Sequence, residues 1–374
     1  MKKSLTFIMW PALTGLLAAL LILDRWVLPL TPTEDAKLEP VSYATAVQQA
    51  TPSVVNIYTA KLVPETPDPL LRRLDFRRSG QPSSQRQRIE RALGSGVIMT
   101  PQGHILTNNH VIAGADAIQV MLSDGRSASA VVIGSDSATD LAVLQVELAD
   151  LQPMAVGNSD SARVGDVVLA IGNPLGFGHS VTQGIVSALG RFGLQLDTYE
   201  DYIQTDAIIH LGNSGGALID TSGRLLGINT LIYAANNQAQ HISTGIGISL
   251  AIPVNLAVFV MQDLINYGEV IRGWLGVSVE PVSAISALGN KTIALAVATV
   301  AASSPAQKAG IEVGDIITHI DGEEIKGGRV TMHRIAMLKP GETIAVSLQR
   351  KQQSIELTAV VGILADSPGA KTNR

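Results

Sequence analysis

The amino-acid sequence predicts a mostly β protein with two folded domains. The chain has 374 residues, which is more than one hydrophobic core usually organises. Hydrophobic residues make up 46% of it and 35 residues are glycine, a balance that favours short strands joined by tight turns. Because no long helical patterns separate the strand-like runs, we expect a barrel or a sandwich.

The N-terminal segment is a candidate membrane helix. Residues 5–23 form a run of 19 uncharged residues, which as a helix would be about 28 Å long, close to the ~30 Å hydrocarbon core. Lys2 and Lys3 precede it and favour a cytoplasmic N-terminus. We therefore expect a transmembrane anchor over residues 1–30 and a polar tether over 31–42. A cleaved signal peptide is the alternative, but no A-x-A-like site follows the run.

Short strand-like runs follow at intervals marked by turn residues such as Asp124-Gly125. The predicted strands are 53–58, 96–99, 104–107, 117–122, 130–133, 141–144, 167–171, 184–188, 225–230 and 245–252. Residues 255–266 have helical spacing and end near Gly268. These elements predict a first domain over 43–268, a second over 269–364 and a tail over 365–374.

One segment interrupts the strand pattern. Residues 63–91 contain four prolines and seven arginines. Proline removes a donor from any strand ladder, so this segment predicts a long surface loop.

The composition excludes several functional classes. The chain has no cysteine, which rules out disulfides, a thiol nucleophile and cysteine-based zinc sites. Its net charge of -5 provides no basic field for nucleic acid. No His-Glu-x-x-His motif or comparable cluster of metal ligands occurs, so we expect neither a metal nor another cofactor.

The run Gly212-Asn213-Ser214-Gly215-Gly216 is typical of an exposed nucleophile. Its glycines allow a sharp turn and a close approach of substrate. Backbone N–H groups of Gly212, Asn213 and Ser214 then form a predicted oxyanion hole, with Gly212 and Ser214 as the natural donors. A plain turn between strands is the alternative interpretation of this run taken alone.

A serine nucleophile needs a general base and a carboxylate that orients the base. His110 directly follows one predicted strand and Asp140 directly precedes another, so both lie where a strand meets a loop. A structural histidine and a turn aspartate are the alternatives. The order His110, Asp140, Ser214 is that of chymotrypsin-like proteases and matches the β-rich pattern. The α/β-hydrolase elbow requires serine, acid, then histidine, and the histidines near acids that follow Ser214, namely His319 and His333, lie in the second domain.

Together these motifs resemble the HtrA family of serine proteases. The similar stretches are 93–98, 107–111, 135–143, 165–174, 204–207 and 212–218. One N-terminal anchor and one C-terminal domain are most similar to the membrane-anchored DegS/AlgW branch. The resemblance implies a chymotrypsin-like double β-barrel in the protease domain and a homotrimer. It also implies a single-pass protein of the inner membrane whose folded domains lie in the periplasm and cleave a membrane-bound anti-sigma factor.

The chain departs from the family pattern directly before the nucleophile motif. Family members often have Asn-Pro or Asn-His before the first glycine, whereas His210-Leu211 precedes Gly212 in this chain. Because the peptide before Gly212 belongs to the oxyanion-hole region, Leu211 is a candidate regulatory residue.

The second domain resembles a PDZ domain. Trp274, Leu275, Gly276 and Val277 are similar to the loop that binds a peptide's C-terminal carboxylate through backbone N–H groups. Residues 330–338 fit the helix that lines the groove. The alternative is a generic small α+β domain.

The resemblance further implies that C-terminal peptides of misfolded outer-membrane proteins dock on the PDZ domain and activate the protease. Arg191 matches the loop that relays this signal in the family; a solvated turn arginine is the alternative. Two other functions remain open, namely a broad periplasmic quality-control protease or chaperone and a scaffold that only binds C-termini.

Overall fold

The computed structural model of the chain describes residues 3–26, 42–64, 87–173, 178–192, 199–210, 212–232, 248–285, 291–325 and 327–363. Helix α1, Lys3–Trp26, belongs to one compact unit, Met1–Ala44, and the rest of the chain forms a second. Among the described residues, no helix has both the length and the apolar character needed to cross a membrane. The anchor over residues 1–30 stays a prediction.

Helix α2, Ala44–Ala50, leads into a seven-stranded antiparallel sheet. Its strands are β1 Val54–Pro64, β2 Gln87–Ile98, β3 His104–Asn108, β4 Ala117–Met121, β5 Ser127–Ser129, β6 Val131–Asp136 and β7 Leu141–Gln145. Their order across the sheet is β5-β4-β1-β2-β3-β7-β6, and the described residues show no pairing between the end strands β5 and β6. A four-residue helix, α3 Asn109–Ile112, follows β3. β-Branched residues such as Val55, Ile57 and Ile105 fill the core of this sheet.

The next six strands close into a barrel. They are β8 Val167–Gly172, β9 Ser180–Arg191, β10 Tyr202–Thr205, β11 Ala217–Asp220, β12 Leu225–Ile232 and β13 Ser249–Pro253. The closed order is β10-β13-β12-β11-β8-β9, with side chains such as Val168, Ile203 and Leu218 inside. Helix α4, Val254–Tyr267, follows β13 and buries Leu256, Val260 and other apolar residues. The mostly β prediction is therefore confirmed.

The predicted loop over 63–91 is wrong at both ends. Strand β1 continues to Pro64 and β2 begins at Gln87, and these two residues are partners in the same antiparallel ladder. Leu62 lies opposite Ile89, and such apolar cross-strand pairs stabilise a ladder even where it is exposed. The central part of the predicted loop, 65–86, lies outside the described residues.

The C-terminal part of the chain has its own sheets and core. Its strands are β14 Gly273–Trp274, β15 Val277–Ile285, β16 Lys291–Val300, β17 Ile316–Ile320, β18 Glu323–Glu324, β19 Thr343–Arg350, β20 Gln353–Val360 and β21 Gly362–Ile363. The main sheet has the order β15-β16-β17-β19-β20, with β18 on β17, while β14 pairs with β21. Two helices complete it, α5 Pro305–Ala309 and α6 Gly328–Ala336. Helix α6 begins two residues before the predicted groove helix.

Replacing Leu218→Ala tests whether the closed barrel carries the stability of the protease domain. Leu218 is fully buried, so its truncation is expected to cost about 2–5 kcal/mol and to lower Tm markedly. Leu62→Ala is the matched control because Leu62 is 49% exposed, and its Tm is expected to stay close to that of the wild type. Equal Tm losses in the two variants, measured by differential scanning calorimetry, would contradict the barrel assignment.

Candidate active site

Ser214 lies in a tight turn directly before β11. Gly212 and Gly215 flank it with φ angles of 95° and 83°, in the left-handed region that favours glycine. A Cβ atom on Gly215 would lie 2.1 Å from the backbone oxygen of Ser95, so no other residue fits there. The two glycines therefore allow the turn to lie against strand β2 of the first sheet.

His110 and Asp140 are joined by two hydrogen bonds. Nδ1 of His110 lies 2.6 Å from Oδ2 of Asp140, and the His110 backbone N–H donates to Oδ1 at 2.9 Å. The Asp140 side chain is only 8% exposed, whereas that of His110 is 40% exposed. With Nδ1 donating to the carboxylate, Nε2 is left as the basic nitrogen of the exposed ring.

The backbone of Asp140 has a φ of 54°, which is uncommon for a residue other than glycine. Its carbonyl oxygen accepts hydrogen bonds from the Asn108 side-chain amide and the Asn109 N–H, each at 3.0 Å. Its carboxylate also accepts from Oγ1 of Thr230 at 3.1 Å. These contacts hold Asp140 in this conformation and point its carboxylate at His110.

Thr230 connects the carboxylate to the predicted nucleophile. The Ser214 hydroxyl donates to the backbone oxygen of Thr230 at 2.8 Å, while the Thr230 side chain bonds to Asp140. The structure thus brings Ser214, His110 and Asp140 to one place, with the hydroxyl directed at Thr230. Sequence reasoning missed Thr230 and Asn108, because a threonine inside a strand carries no local signal for this role.

The predicted oxyanion-hole segment has one engaged N–H group. The Asn213 N–H donates to the His210 carbonyl at 2.9 Å and closes a turn. The φ of Gly212, the third residue of this turn, lies in the left-handed region that favours glycine. Among the described residues, no backbone acceptor is found for the N–H groups of Gly212 and Ser214. The candidate regulatory residue Leu211 lies outside the described residues.

The predicted carboxylate loop lies between β14 and the edge strand β15. Trp274 ends β14, Val277 begins β15, and the loop is held by bonds from Ala306 N–H to Leu275 O and from Ala301 N–H to Gly276 O, both 2.9 Å. Gly276 has a φ of 83°. Strand β15 pairs only with β16 in the described sheet, and α6 packs close to it, with 3.7 Å between an ideal Cβ on Gly328 and a Val279 methyl. An extended peptide could therefore add to this edge.

Arg191 lies at the end of β9, exposed, and its Nε donates to Oε1 of Gln204 at 2.8 Å. The described contacts between the protease and α6 involve other residues, which sequence reasoning missed. The Tyr199 ring lies 6.3 Å from that of His333, and Oδ2 of Asp201 lies 3.8 Å from Nε2 of His333. No local motif predicted these contacts, because they form only when the two domains pack.

Arg272, at the start of the second domain, contacts both Tyr199 and the segment 136–140 that ends at Asp140. Its guanidinium lies 4.5 Å from the centre of the Tyr199 ring and 2.5 Å from Oδ2 of Asp136. The Thr139 hydroxyl donates to the same carboxylate oxygen at 2.5 Å. Asp136 lies four residues before Asp140 and Thr139 lies directly before it, so the start of the second domain is bonded to the segment that positions the carboxylate.

Burial shifts the pKa values of His333 and Asp201. Burial lowers the pKa of His333 and outweighs the opposite effect of Asp201, while the positive charge of Arg272 lowers it further. Burial likewise raises the pKa of Asp201, although His333 acts in the other direction. In both groups burial therefore disfavours the charged form relative to the free side chain.

The fold and the site together define a class of protein. A trypsin-like peptidase family matches residues 94–228, and a PDZ family matches residues 273–361. The chain is thus a serine endoprotease with a C-terminal PDZ domain, as the sequence predicted.

Comparison with known proteins shows the family to which the chain belongs. Serine endoprotease DegS of Escherichia coli is 40% identical over 336 residues, covering 88% of this chain and 89% of DegS. A probable periplasmic serine endoprotease, DegP-like, of Pseudomonas savastanoi pv. phaseolicola is 41% identical over 375 residues, covering 94% of this chain and 75% of the relative. The solved HtrA-type protease AlgW with decapeptide is 45% identical, with a TM-score of 0.67, covering 87% of this chain and 100% of AlgW. The chain belongs to the HtrA family of serine endoproteases, and the predicted resemblance is confirmed.

Because the pKa of His333 is lowered in the folded protein, we expect the stability of the protein to depend on pH. Because its folded pKa lies below the unfolded value of about 6.5, the unfolded chain binds more protons below that pH. Stability from His333 is therefore present above about pH 6.5 and is lost as pH falls. The Tm of the wild type should drop more between about pH 7.5 and 5.5 than that of His333→Gln. Equal drops in the two proteins would contradict this assignment.

Proposed function

We propose that Ser214 is the nucleophile, His110 the general base and Asp140 the carboxylate that orients it. The observation that carries this proposal is the 2.6 Å contact of His110 Nδ1 with Asp140, in a serine endoprotease whose Ser214 is linked to the same carboxylate through Thr230. Asp140 fixes the imidazole tautomer and stabilises the imidazolium that forms in the reaction.

The reaction begins when the Ser214 hydroxyl turns from the Thr230 carbonyl to Nε2 of His110. Ser214 Oγ then attacks the carbonyl carbon of the scissile peptide, and Nε2 takes the hydroxyl proton. The N–H groups of Gly212 and Ser214 donate to the oxyanion that develops. His110 returns the proton to the leaving amine, and water completes hydrolysis of the acyl-enzyme by the same sequence of transfers.

The same proposal extends to regulation by the PDZ domain. A C-terminal peptide of a misfolded outer-membrane protein adds as a strand at the β15 edge, with its carboxylate on the loop formed by Trp274, Leu275, Gly276 and Val277. The open edge of β15 and the peptide in the AlgW structure support this mode of binding. Binding then shifts the oxyanion segment near Leu211 into its active form.

We further propose that the enzyme is a homotrimer tethered to the inner membrane with its domains in the periplasm. The uncharged run over residues 5–23, preceded by Lys2 and Lys3, supports the anchor. A tethered protease suits a membrane-bound substrate, and we assign an anti-sigma factor as that substrate. The DegP-like relative favours a second candidate, a broad quality-control protease with chaperone activity.

Two substrates distinguish these functions. The full chain in detergent is incubated with unfolded casein and with the periplasmic domain of an anti-sigma factor, each with and without a C-terminal outer-membrane-protein peptide. We expect cleavage of the anti-sigma domain only with peptide, and loss of all cleavage in Ser214→Ala because the acyl-enzyme cannot form.

Each other outcome contradicts one part of the proposal. Casein degradation without peptide would support the quality-control enzyme instead. Peptide binding without cleavage of either substrate would support a scaffold. Cleavage retained in Ser214→Ala would exclude the proposed nucleophile.

Arg191 is expected to relay peptide binding to the active site. Arg191 lies at the end of β9, before residues 193–198, and the contact of Tyr199 and Asp201 with the PDZ domain lies directly after them. Arg191→Ala should therefore still bind the peptide but lose the cleavage that the peptide induces. Arg163→Ala is the control, because Arg163 has an 83% exposed side chain and pairs with Asp166. Unchanged peptide activation in Arg191→Ala, measured as the ratio of initial rates, would contradict the relay.

A further inference from the structure

Ser95 lies in β2 of the first sheet and touches the nucleophile turn of the barrel. The residue is fully buried. Its backbone N–H donates to the carbonyl oxygen of Ser214 at 2.9 Å, and its hydroxyl donates to the carbonyl oxygen of Gly212 at 2.7 Å. Ser95 therefore binds two carbonyl groups of the turn, that of Gly212 before Asn213 and that of Ser214 after it.

The same hydroxyl also accepts a hydrogen bond from the second half of the protease domain. The backbone N–H of Asn173, directly after β8, donates to Ser95 Oγ at 3.0 Å. The Ser95 carbonyl accepts from Oγ1 of Thr107 at 2.7 Å. Every polar group of Ser95 therefore has a partner, which fixes the position of its hydroxyl.

The turn needs such an external contact because its own sequence is permissive. Gly212 and Gly215 have no side chains, and glycine adopts left-handed and right-handed conformations with similar ease. A rotation of the peptide between Gly212 and Asn213 would displace the neighbouring N–H groups. The bond from the Ser95 hydroxyl to Gly212 O opposes that rotation.

We propose that Ser95 is a positioning residue that holds the nucleophile turn so that the N–H groups of Gly212 and Ser214 meet the developing oxyanion. This inference rests on the proposed function of Ser214. Ser95 bonds to the backbone of the turn and not to the Ser214 hydroxyl, so it acts through the turn. Its removal should therefore weaken binding of the transition state more than binding of the substrate.

The test uses the full chain and a fluorogenic peptide that contains a bond cut by the wild type. In Ser95→Ala, Gly212 O and the Asn173 N–H lose a buried partner and the turn is released. We expect kcat to fall about tenfold or more, less than the loss of a direct oxyanion donor, while KM stays nearly unchanged.

A second readout separates positioning from general damage. A peptide aldehyde of the same sequence forms a tetrahedral adduct whose oxygen occupies the oxyanion hole, whereas the matching peptide alcohol does not. In Ser95→Ala the aldehyde Ki should rise by the same factor by which kcat falls, and the alcohol Ki should stay constant. An equal weakening of both inhibitors would overturn the proposal.

Ser159→Ala is the matched control. Ser159 is also a buried serine, and its hydroxyl accepts from the Asn255 N–H at 3.2 Å, far from the nucleophile turn in sequence. Its kcat and aldehyde Ki should equal those of the wild type. If Ser95→Ala does not fold, Ser95→Cys keeps the side-chain size and weakens the donor, and no other cysteine is present to form a disulfide.

The outcomes separate the two levels of the proposal. If the wild type is active and folded Ser95→Ala or Ser95→Cys has the same kcat, the proposed role of Ser95 is wrong, while that of Ser214 is unaffected. A fall in kcat of Ser159→Ala equal to that of Ser95→Ala would also overturn it. Full turnover in Ser214→Ala would instead overturn the proposed function itself.

Discussion

The arrangement of the site depends on the conformation of Asp140. Its left-handed backbone directs the carboxylate toward His110, and the bonds from Asn108 and Asn109 to its carbonyl keep it there. A residue other than glycine in this region costs roughly 1–3 kcal/mol. Hydrogen bonds to a charged group contribute about 1.5–3 kcal/mol each, so the bonds from His110 and Thr230 to the carboxylate are sufficient to offset that cost.

The carboxylate also connects the two halves of the protease domain. His110 lies in α3 and Asp140 lies directly before β7, both beside the first sheet, whereas Thr230 lies on β12 of the closed barrel. Thr230 bonds to Asp140 through its side chain and to Ser214 through its backbone, so a shift between the halves would change both contacts together. The segment before Asp140 is in turn bonded to Arg272 of the PDZ linker through Asp136. Movement of the second domain therefore has a short physical route to the site.

The sequence predicted the residues whose local pattern carries their chemistry. Ser214 stood between glycines, and His110 and Asp140 lay beside strands in an order shared with chymotrypsin-like proteases. Ser95, Asn108 and Thr230 could not be predicted, because each is an ordinary strand residue whose partner comes from a distant part of the chain.

The prediction of a loop over residues 63–91 was wrong at its two ends for a related reason. The prolines and arginines of residues 63–91 indicated a loop, yet pairing of β1 with β2 extends the strands to Pro64 and Gln87. The length of a ladder depends on the strand that pairs with it, and that partner cannot be identified from the residues of one segment alone. The mostly β fold was predictable because the alternation of short apolar runs and turn residues is itself local.

Chemical labelling identifies the reactive serine of the protein. A fluorophosphonate reacts with an activated serine, so the full chain is treated with one, digested, and analysed by mass spectrometry for the labelled peptide. The structure predicts that the label is on Ser214 and that His110→Ala prevents labelling. A label on another serine would contradict the assignment of Ser214 as the nucleophile. Proteolysis by protein that carries no label at Ser214 after treatment would also contradict it.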